Sequence, residues 1–398
     1  MTDPEKSAAR LRRQLADRLS EAGHLKSPQW QAAVEAVPRH KFLSGGFFRS
    51  VPGSSPTAYA PVLPDEYSEG WLSLCYADES LVTQIAGTVV PRDITGTIAR
   101  QPSSSSTLPS LMVDMLEALD VEDGNAVLEI GTGTGYNAGL LAHRIGVENI
   151  TTVETDPDVA ASARHALWGC GYQVDVVVAD GRKGYADSAP YDRVIATCGV
   201  TRVRQEWVNQ TRPGGIILTT LRGGLWSSGL AKLTRTGDGT AEGAFISEAS
   251  FMRARQEKPE SNLDIPGPDD GERRRTHLGG DIAHDWTARF IIDNTMDGLS
   301  LIGGVSLAGE PPSDYFLHPE SGSFAAVSGS GDEGYTVRQG GPLRMWDTAE
   351  RAIGEWREQG SPGVTAFRIR VTPEAQTVYL ESAPGVAWVK PAGTASSL

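Results

Sequence analysis

The sequence predicts a doubly wound α/β domain with a mainly parallel sheet, an N-terminal helical region and a smaller C-terminal α+β module. The length, 398 residues, favours more than one domain. Between residues 108 and 221, short apolar runs alternate with amphipathic helical segments, which is typical of βα units around a parallel sheet. A glycine-rich segment follows the first of these strands. Because such sheets bind ligands beyond the carboxyl ends of their strands, we expect the functional residues there.

The composition disfavours several classes of function. The formal net charge is −14, which argues against nucleic acid as a partner because nucleic-acid binding needs a basic surface. No apolar run approaches the roughly 20 residues of a membrane span, and the N-terminus has no apolar signal segment. The three cysteines and seven histidines show no metal-ligand spacing, so no metal site is predicted. We therefore expect a cytoplasmic protein without a membrane partner, and the sequence leaves the oligomeric state open.

The N-terminal helical and loop region is predicted to span 1–100. Leu11, Leu15 and Leu19 recur at four-residue spacing, which places them on one face of a helix. A second helix is predicted to begin at Ser27-Pro28, with the serine as N-cap and the proline in the first turn. The rest of this region is rich in loops and contains short strand-like runs.

The ligand-binding α/β domain is predicted to span 101–252. Its helical segments show apolar residues at helical spacing, and its strands are short and apolar. Since strands and helices alternate, neighbouring strands are expected to run parallel. The predicted helices are 108–119, 136–146, 157–171 and 203–215, and the predicted strands are 126–131, 149–155, 172–181, 191–199 and 215–221.

The C-terminal part is predicted to consist of a linker or exposed loop, 253–280, and an α+β module, 281–398. The first of these is polar, charged and rich in proline and glycine. One helix is predicted at 343–356, where four apolar side chains form a stripe that is either ordinary core or a partner-binding surface: Trp346, Ala349, Ile353 and Trp356. The predicted strands are 287–293, 299–307, 323–328, 365–371 and 377–382.

The glycine-rich turn after the first strand is the most informative stretch. Gly131, Gly133 and Gly135 have G-x-G-x-G spacing, and Glu129 stands two positions before them. Glycines allow a tight turn and a close approach of ligand to backbone. A carboxylate at this place would repel a pyrophosphate but suits a cationic ligand such as the ammonium group of S-adenosylmethionine. The alternative is a glycine-rich turn without a ligand. The other residues predicted to bind this cofactor from the turn are Thr132, Tyr136 and Asn137.

Acidic residues also follow the second and third strands. Glu154 is predicted to accept hydrogen bonds from two ribose hydroxyls, with Thr155 beside it and Asp156 as the rival for this role. Asp180 and Gly181 are predicted to meet the adenine amino edge. Each acid by itself could be a solvated loop residue. Their joint placement after successive strands favours a nucleoside site.

Several runs resemble protein-L-isoaspartate O-methyltransferases over about residues 25–222. The resemblance implies a class I methyltransferase, Rossmann-like fold, S-adenosylmethionine as cofactor and S-adenosylhomocysteine as its product. The glycine motif alone marks only class I methyltransferases, and the order of the runs is more specific. The matching runs are AVPRHKF (36–42), VLEIGTGTGYNAGLLA (127–142), VVVADG (176–181), APYDRVIAT (189–197) and RPGGIILTTL (212–221).

The family has a Thr-Ile-Ser-x-Pro turn before the first helix of its sheet. Aligned on Pro109, Thr107 matches the family's serine and Ser105 matches its threonine, so the hydroxyl is kept while the residue type differs. The resemblance implies that 103–107 is a carboxylate- and peptide-binding turn, whereas composition alone would also allow a linker. The predicted catalytic residues are Ser105, Ser106 and Thr107, and the predicted substrate-binding residues are Ser103, Ser104, Trp71 and Tyr76.

The sequence leaves two interpretations open for each of Trp71, Tyr76 and His40. Trp71 and Tyr76 either line the substrate path or pack in the core. His40 lies in the AVPRHKF run, where a structural hydrogen bond and acid–base work are both open. For methyl transfer to a carboxylate no general base is required, because the acceptor has a reference pKa near 4 and is ionised at neutral pH. Neutral hydroxyl donors would suffice to align it.

The serine-rich turn and the extension after residue 222 resemble a bacterial subgroup encoded beside enzymes that modify graspetides, lanthipeptides and lasso peptides. That resemblance implies methylation of an aspartate side chain in an already cyclised ribosomal precursor peptide, and the C-terminal module, 281–398, is then expected to be the peptide-binding module. The ester then closes to an aspartimide (succinimide), which can hydrolyse to isoaspartate. The alternatives are a general isoaspartate repair methyltransferase, a small-molecule carboxyl methyltransferase and a non-catalytic peptide-binding module.

Overall fold

The structure is a computed structural model that describes residues 3–64, 68–237, 239–257, 263–307, 309–330 and 334–391. Its helices are α1 (Pro4–Glu21), α2 (Pro28–Ala36), α3 (Glu69–Cys75), α4 (Pro109–Leu119), α5 (Tyr136–Ile145), α6 (Pro157–Gly169), α7 (Gln205–Gln210), α8 (Trp286–Thr295) and α9 (Met345–Glu358).

The strands of the first half are β1 (Phe47–Ser50), β2 (Tyr59–Val62), β3 (Leu81–Ile85), β4 (Pro102–Ser106), β5 (Val127–Ile130), β6 (Ile150–Glu154), β7 (Asp175–Val178), β8 (Tyr191–Val200) and β9 (Thr211–Arg222). Those that follow are β10 (Ser228–Gly237), β11 (Thr240–Ser247), β12 (Glu272–Thr276), β13 (Ser300–Val305), β14 (Ser313–His318), β15 (Ser323–Ser330), β16 (Gly334–Gly340), β17 (Phe367–Val371), β18 (Ala375–Leu380) and β19 (Ala387–Pro391).

The described residues divide into two compact units. Unit 1 takes those within 1–198 and 209–218, and unit 2 takes those within 199–208 and 219–398. The sequence boundaries at 100, 252 and 280 do not coincide with this division, since β10 and β11 lie in unit 2. Residues 258–262 of the predicted linker lie outside the described residues.

Unit 1 contains the predicted parallel sheet, in the order β8-β5-β6-β7. Every residue of β5 and β6 is buried, because helices cover both faces of a doubly wound sheet. Register places Glu129 of β5 opposite Thr152 of β6. The predicted α/β fold of this region is therefore confirmed, and the carboxyl ends of β5, β6 and β8 meet at one edge.

The serine-rich segment forms a strand, although the sequence predicts a turn at 103–107. It is β4, at the edge of an antiparallel sheet in the order β2-β1-β3-β4. Pairing with β3 sets Ser106 opposite Leu81 and Ser104 opposite Gln84. Because side chains alternate along a strand, Ser104 and Ser106 are buried while Ser105 is partly exposed. Local propensity disfavours serine in strands and does not predict β4. The strand forms because it pairs with β3.

Unit 2 contains two antiparallel arrangements, β19-β18-β17-β11-β10 and β12-β16-β15-β14-β13. The segment 287–293, predicted as a strand, lies in helix α8; Asp285 caps that helix by accepting the N–H of Ala288 at 2.8 Å. Residues 272–276, predicted as linker or loop, form β12 because they pair with β16. The apolar stripe of α9 is buried, which favours its interpretation as core.

No helix in the part of the chain that the structure describes is both long and apolar enough to cross a membrane.

Candidate active site

The glycine turn at the carboxyl end of β5 has the tight geometry that its sequence predicts. Gly131, Gly133 and Gly135 all have positive φ angles, of 96°, 54° and 88°, where side chains with a β-carbon are strained. The N–H of Gly131 donates to Val153 O at 2.8 Å, so the turn stays close to β6. Gly135 forms the N-cap of α5. The turn therefore presents backbone, with no side chain at the glycines, to a ligand.

The glycine turn also lies beside the serine strand. A β-carbon built on Gly133 would lie 3.5 Å from the carbonyl oxygen of Ser105, and apart from the residues next to it in the chain no other described atom would be within 4 Å. A β-carbon on Gly131 would lie 3.0 Å from Thr197 Oγ1. The fold thus brings 103–107 next to the predicted cofactor turn, although about 25 residues separate them in the chain.

Glu129 lies beneath the turn, fully buried. One of its oxygens accepts a hydrogen bond from Asn137 Nδ2 at 2.6 Å, and the other accepts one from Thr152 Oγ1 at 2.5 Å. Burial raises the pKa of this carboxyl to about 7. The carboxyl has no exposed surface and contacts Asn137 and Thr152 in the structure, so its contact with an ammonium group, directly or through water, stays a prediction.

Glu154, at the end of β6, connects the turn to the next loop. Its Oε2 accepts the N–H of Gly133 at 3.0 Å, and its Oε1 accepts those of Thr155 and Asp156 at 2.9 and 3.1 Å. Asp156, the rival for ribose binding, instead caps α6 and accepts a hydrogen bond from Gln84 Nε2 at 3.0 Å. The arrangement favours Glu154 over Asp156 as the ribose-binding carboxylate.

Asp180 and Gly181 follow β7, as predicted, but their contacts differ from the expected ones. The Asp180 carboxylate pairs with Arg182, whose Nη2 lies 2.8 Å from Oδ2, and this hydrogen bond holds the carboxyl pKa below its usual range. A β-carbon on Gly181 would lie 2.6 Å from Ile130 Cγ2. Glycine is therefore required at position 181 because the backbone there packs closely on β5. Asp180 orients Arg182, and its predicted contact with adenine would be additional to this role.

A buried arginine that sequence reasoning did not single out holds the serine strand. Arg39 Nε donates to Ser106 Oγ at 3.2 Å, and Nη2 donates to the carbonyl oxygens of Ser106 and Thr107 at 3.3 and 3.1 Å. Its other hydrogen bonds go to carbonyl oxygens of the segment 75–79. Burial lowers its pKa. The signal in the sequence was weak, because Arg39 is one of two charged residues, with Lys41, in the AVPRHKF run.

The hydroxyls of the serine strand divide into two sets. Ser103 Oγ donates to Gln84 Oε1 at 2.7 Å, Ser104 Oγ accepts from Thr83 at 3.2 Å, and Ser106 Oγ accepts from Arg39. The side chains of Ser105 and Thr107 form no hydrogen bond with any described residue, and both are partly exposed. Of the five predicted hydroxyls, these two are available to an acceptor group, while Ser103, Ser104 and Ser106 are engaged in the structure of the strand.

The aromatic residues predicted to bind substrate lie in the core. Trp71 is 3% exposed and stacks on Phe47 with ring centres 6.3 Å apart, and Tyr76 is 1% exposed. Tyr76 Oη lies 2.6 Å from His40 Nδ1, and burial lowers the pKa of His40 to about 4. The packing alternative is therefore favoured for Trp71 and Tyr76, and a structural hydrogen bond is favoured for His40. Neither aromatic side chain offers a surface to a peptide.

The residues at this edge fit S-adenosylmethionine. Gly133 leaves open space beside Ser105, and Glu154 has a carboxylate at the carboxyl end of β6, which suits the ribose and the positive charge of a sulfonium ligand. The two unengaged hydroxyls belong to Ser105 of β4 and to Thr107, which directly follows that strand. Among the described residues, no three histidine, cysteine, aspartate or glutamate side chains are grouped so that they could hold a metal ion.

Comparison with known proteins supports this interpretation. Residues 82–257 match the family model "Protein-L-isoaspartate(D-aspartate) O-methyltransferase". The chain is 31% identical to a protein-L-isoaspartate O-methyltransferase of Methanopyrus kandleri, over 54% of this chain and 78% of the relative. It is 32% identical to one of Staphylothermus marinus, over 51% of this chain and 76% of the relative.

A solved structure of a protein-L-isoaspartate O-methyltransferase resembles nearly the whole chain. It covers 95% of this chain and 99% of its own length, with 20% identity and a TM-score of 0.52. At this identity the likeness concerns the fold alone, and it includes the region after residue 222. The chain therefore belongs to the protein-L-isoaspartate O-methyltransferase family and is an S-adenosylmethionine-dependent O-methyltransferase with the class I α/β fold.

Proposed function

We propose that the chain methylates the carboxylate of isoaspartyl residues in polypeptides. The observation that supports this most directly is the pair of unengaged hydroxyls, Ser105 and Thr107, beside the glycine turn at Gly133. The curated relatives that the chain resembles are named for the same reaction. This substrate is the repair alternative of the sequence analysis.

The chemistry asks the protein for alignment more than for proton transfer. When bound, S-adenosylmethionine supplies an electrophilic methyl group on a sulfonium. The acceptor carboxylate is ionised at neutral pH, so no residue has to remove a proton. Hydroxyl donors at Ser105 and Thr107 would orient one carboxylate oxygen and leave the other free to form the ester bond, and a closed site would strip water from it.

The strand geometry explains why Ser106 would act indirectly. Its hydroxyl accepts a hydrogen bond from Arg39 and is buried, so it does not face an acceptor. Arg39 also holds the carbonyl of Thr107. Ser106 and Arg39 would therefore fix the position of Thr107, and Thr107 and Ser105 would contact the substrate. Ser103 and Ser104 would hold β4 on β3.

The second candidate substrate is an aspartate side chain in an already cyclised ribosomal precursor peptide, with aspartimide and then isoaspartate as later products. It is supported by the place of Thr107, which stands where the family has serine. The C-terminal extension no longer favours this candidate, because a solved structure named as a protein-L-isoaspartate O-methyltransferase shares that part of the fold. The proposed peptide-binding role of the region 281–398 holds for either substrate.

A direct assay separates the two candidates. The purified chain is incubated with S-adenosylmethionine labelled in its methyl group and with three peptides of equal composition: a linear isoaspartyl, a linear aspartyl and a cyclic aspartyl peptide. We expect label in the isoaspartyl peptide, with a mass gain of one methylene and later loss of methanol. Label in the cyclic aspartyl peptide alone would refute the repair substrate in favour of the second candidate. Label in none of them would refute both.

A further inference from the structure

The loop between β9 and β10 in unit 2, residues 223–227, is held in one shape by a buried carboxylate. Asp293 of α8 accepts the N–H of Gly224 at 2.8 Å and that of Leu225 at 3.0 Å. A β-carbon on Gly223 would lie 2.0 Å from Asp293 Cγ, so only glycine fits there. The loop therefore has a fixed shape before any ligand binds, which lowers the entropic cost of binding a ligand there.

The loop exposes a tryptophan in an unfavourable conformation. Trp226 has φ = +62°, a region that bulky side chains avoid, and 51% of its surface is exposed to water. The centre of its ring lies 5.1 Å from the guanidinium carbon of Arg222, within the range of cation–π attraction. Backbone strain together with an exposed indole is the kind of outlier from which a binding role can be inferred.

A second arginine lies against the same loop. Arg253 forms a parallel β-bridge with Gly199, and its Nη2 would lie 3.3 Å from a β-carbon on Gly224. Arg222 donates a hydrogen bond to the carbonyl oxygen of Phe251, two residues before Arg253. Two guanidinium groups from different segments of unit 2 thus lie against the loop that carries Trp226, and that of Arg222 lies beside the indole.

Neither arginine forms an ion pair at hydrogen-bonding distance with a carboxylate of a described residue, although both interact electrostatically with the buried Asp293. Among the described residues, Arg222 donates to the carbonyl oxygen of Phe251 and Arg253 donates to that of Glu257. A guanidinium has five N–H donors, so each arginine has donors that no described residue accepts. Burial and the neighbouring charge of Arg253 lower the pKa of Arg222, and the carboxylate of Asp293 offsets this shift only in part.

We propose that Arg222, Arg253 and Trp226 bind a carboxylate-bearing segment of the polypeptide substrate, outside the residue that is methylated. Guanidinium groups pair with carboxylates through two parallel hydrogen bonds, and the indole would cover an adjacent apolar side chain. Tryptophan and arginine are also the residue types that dominate binding energy in protein interfaces. The inference rests on the proposed function in taking a polypeptide as the ligand, and it names acidic segments as the ones preferred.

Calorimetry with a blocked peptide that contains two glutamates beside a leucine, and no isoaspartate, tests the proposal. The full chain is compared with the double variant Arg222→Gln/Arg253→Gln, and the same peptide with glutamines serves as the neutral ligand. We expect the wild-type protein to bind the glutamate peptide at least tenfold more tightly than the double variant does, and the glutamine peptide equally weakly in both. Arg351→Gln, an exposed arginine on α9, is the matched control and retains binding.

Trp226→Gly gives a second variant that is expected to fold. Glycine adopts a positive φ without strain, so we expect no loss of thermal stability but weaker binding of the glutamate peptide. Equal affinity of wild type and double variant, equal affinity for the glutamate and glutamine peptides, or the same loss in Arg351→Gln would each overturn the proposal. The proposal would also be overturned if neither salt nor free glutamate displaced the glutamate peptide from the wild-type protein.

The wild-type chain is assayed in parallel with the isoaspartyl peptide and labelled cofactor. Methylation without binding of the glutamate peptide would refute only the acidic-segment site. Binding of the glutamate peptide without methylation would refute only the proposed isoaspartyl function.

Discussion

The glycine turn and the serine strand meet at Gly133 and Ser105, yet they are built in different ways. The turn is mostly local: three glycines with positive φ follow Glu129 within a few positions, and Glu154 is 21 residues from Gly133. The strand depends on Arg39, which is 67 and 68 residues from its hydrogen-bond partners Ser106 and Thr107. The part of the site predicted to bind the cofactor therefore depends mostly on short sequence spacing, whereas the part proposed to hold the methyl acceptor depends on tertiary contacts.

The largest effect should come from the residue that holds the strand. Arg39→Gln should lower the free energy of unfolding by about 3–5 kcal/mol, because buried carbonyl oxygens lose their donors. Urea denaturation measures this. Arg212→Gln, an exposed arginine paired with Asp192, is the control and should cost less than about 1 kcal/mol. A loss in Arg39→Gln no larger than in this control would remove the distinction between the two regions.

A comparable effect, dependent on pH, should come from the carboxyl under the turn. The pKa of Glu129 is raised from 4.5 to about 7 in the folded state, so the folded protein binds an extra proton between these values. Protonated Glu129 therefore contributes to the free energy of unfolding of the wild-type protein at low pH. This contribution, up to about 3 kcal/mol, is lost as pH rises through that window.

Glu129→Gln removes this dependence. Its amide can pair with Asn137, whose buried Oδ1 has no partner among the described residues. Thermal denaturation should show the variant gaining about 3 kcal/mol on wild type between about pH 4.5 and about pH 8. A difference between the two proteins that is constant with pH would contradict the assigned cause.

The third effect concerns turnover alone. Ser105→Ala/Thr107→Val removes both unengaged hydroxyls and should reduce the methylation rate by about 10- to 100-fold, since hydrogen bonds to a charged group contribute about 1.5–3 kcal/mol. Cofactor affinity, measured by calorimetry, should change little. Ser104→Ala, on the same strand but facing inwards, is the control and should leave turnover nearly intact. Unchanged turnover in the double variant would end the role of these hydroxyls.

The smallest effect should be on cofactor affinity. Glu154→Gln replaces one acceptor oxygen by an amide donor next to the N–H of Gly133, and the dissociation constant for S-adenosylmethionine should rise by about tenfold. Glu148→Gln, an exposed position of the same unit, is the control. If Glu154→Gln lowered turnover and left the affinity for S-adenosylmethionine unchanged, Glu154 would act on the methyl acceptor instead of the cofactor.

Much of unit 1 could be predicted from the sequence because its signals are local. The predicted strand and helix alternation is confirmed over β5 to β8, and Ser27 accepts the N–H of Trp30 as an N-cap should. The strand predicted at 287–293 was wrong, since its apolar and β-branched residues suit either state and the cap at Asp285 decides for helix. Arg39 could not be found because its partners lie about 36 to 68 residues away in the chain.

The sequence by itself determined the glycine turn, the acids at the strand ends and the family, because each depends on residue types at fixed short spacing. Only the tertiary structure decided which hydroxyls of 103–107 are partly exposed, which aromatic side chains are buried and where Arg222 and Arg253 come together. The physical reason is register: one step along a paired strand turns a side chain from core to surface, and the partner strand sets that register.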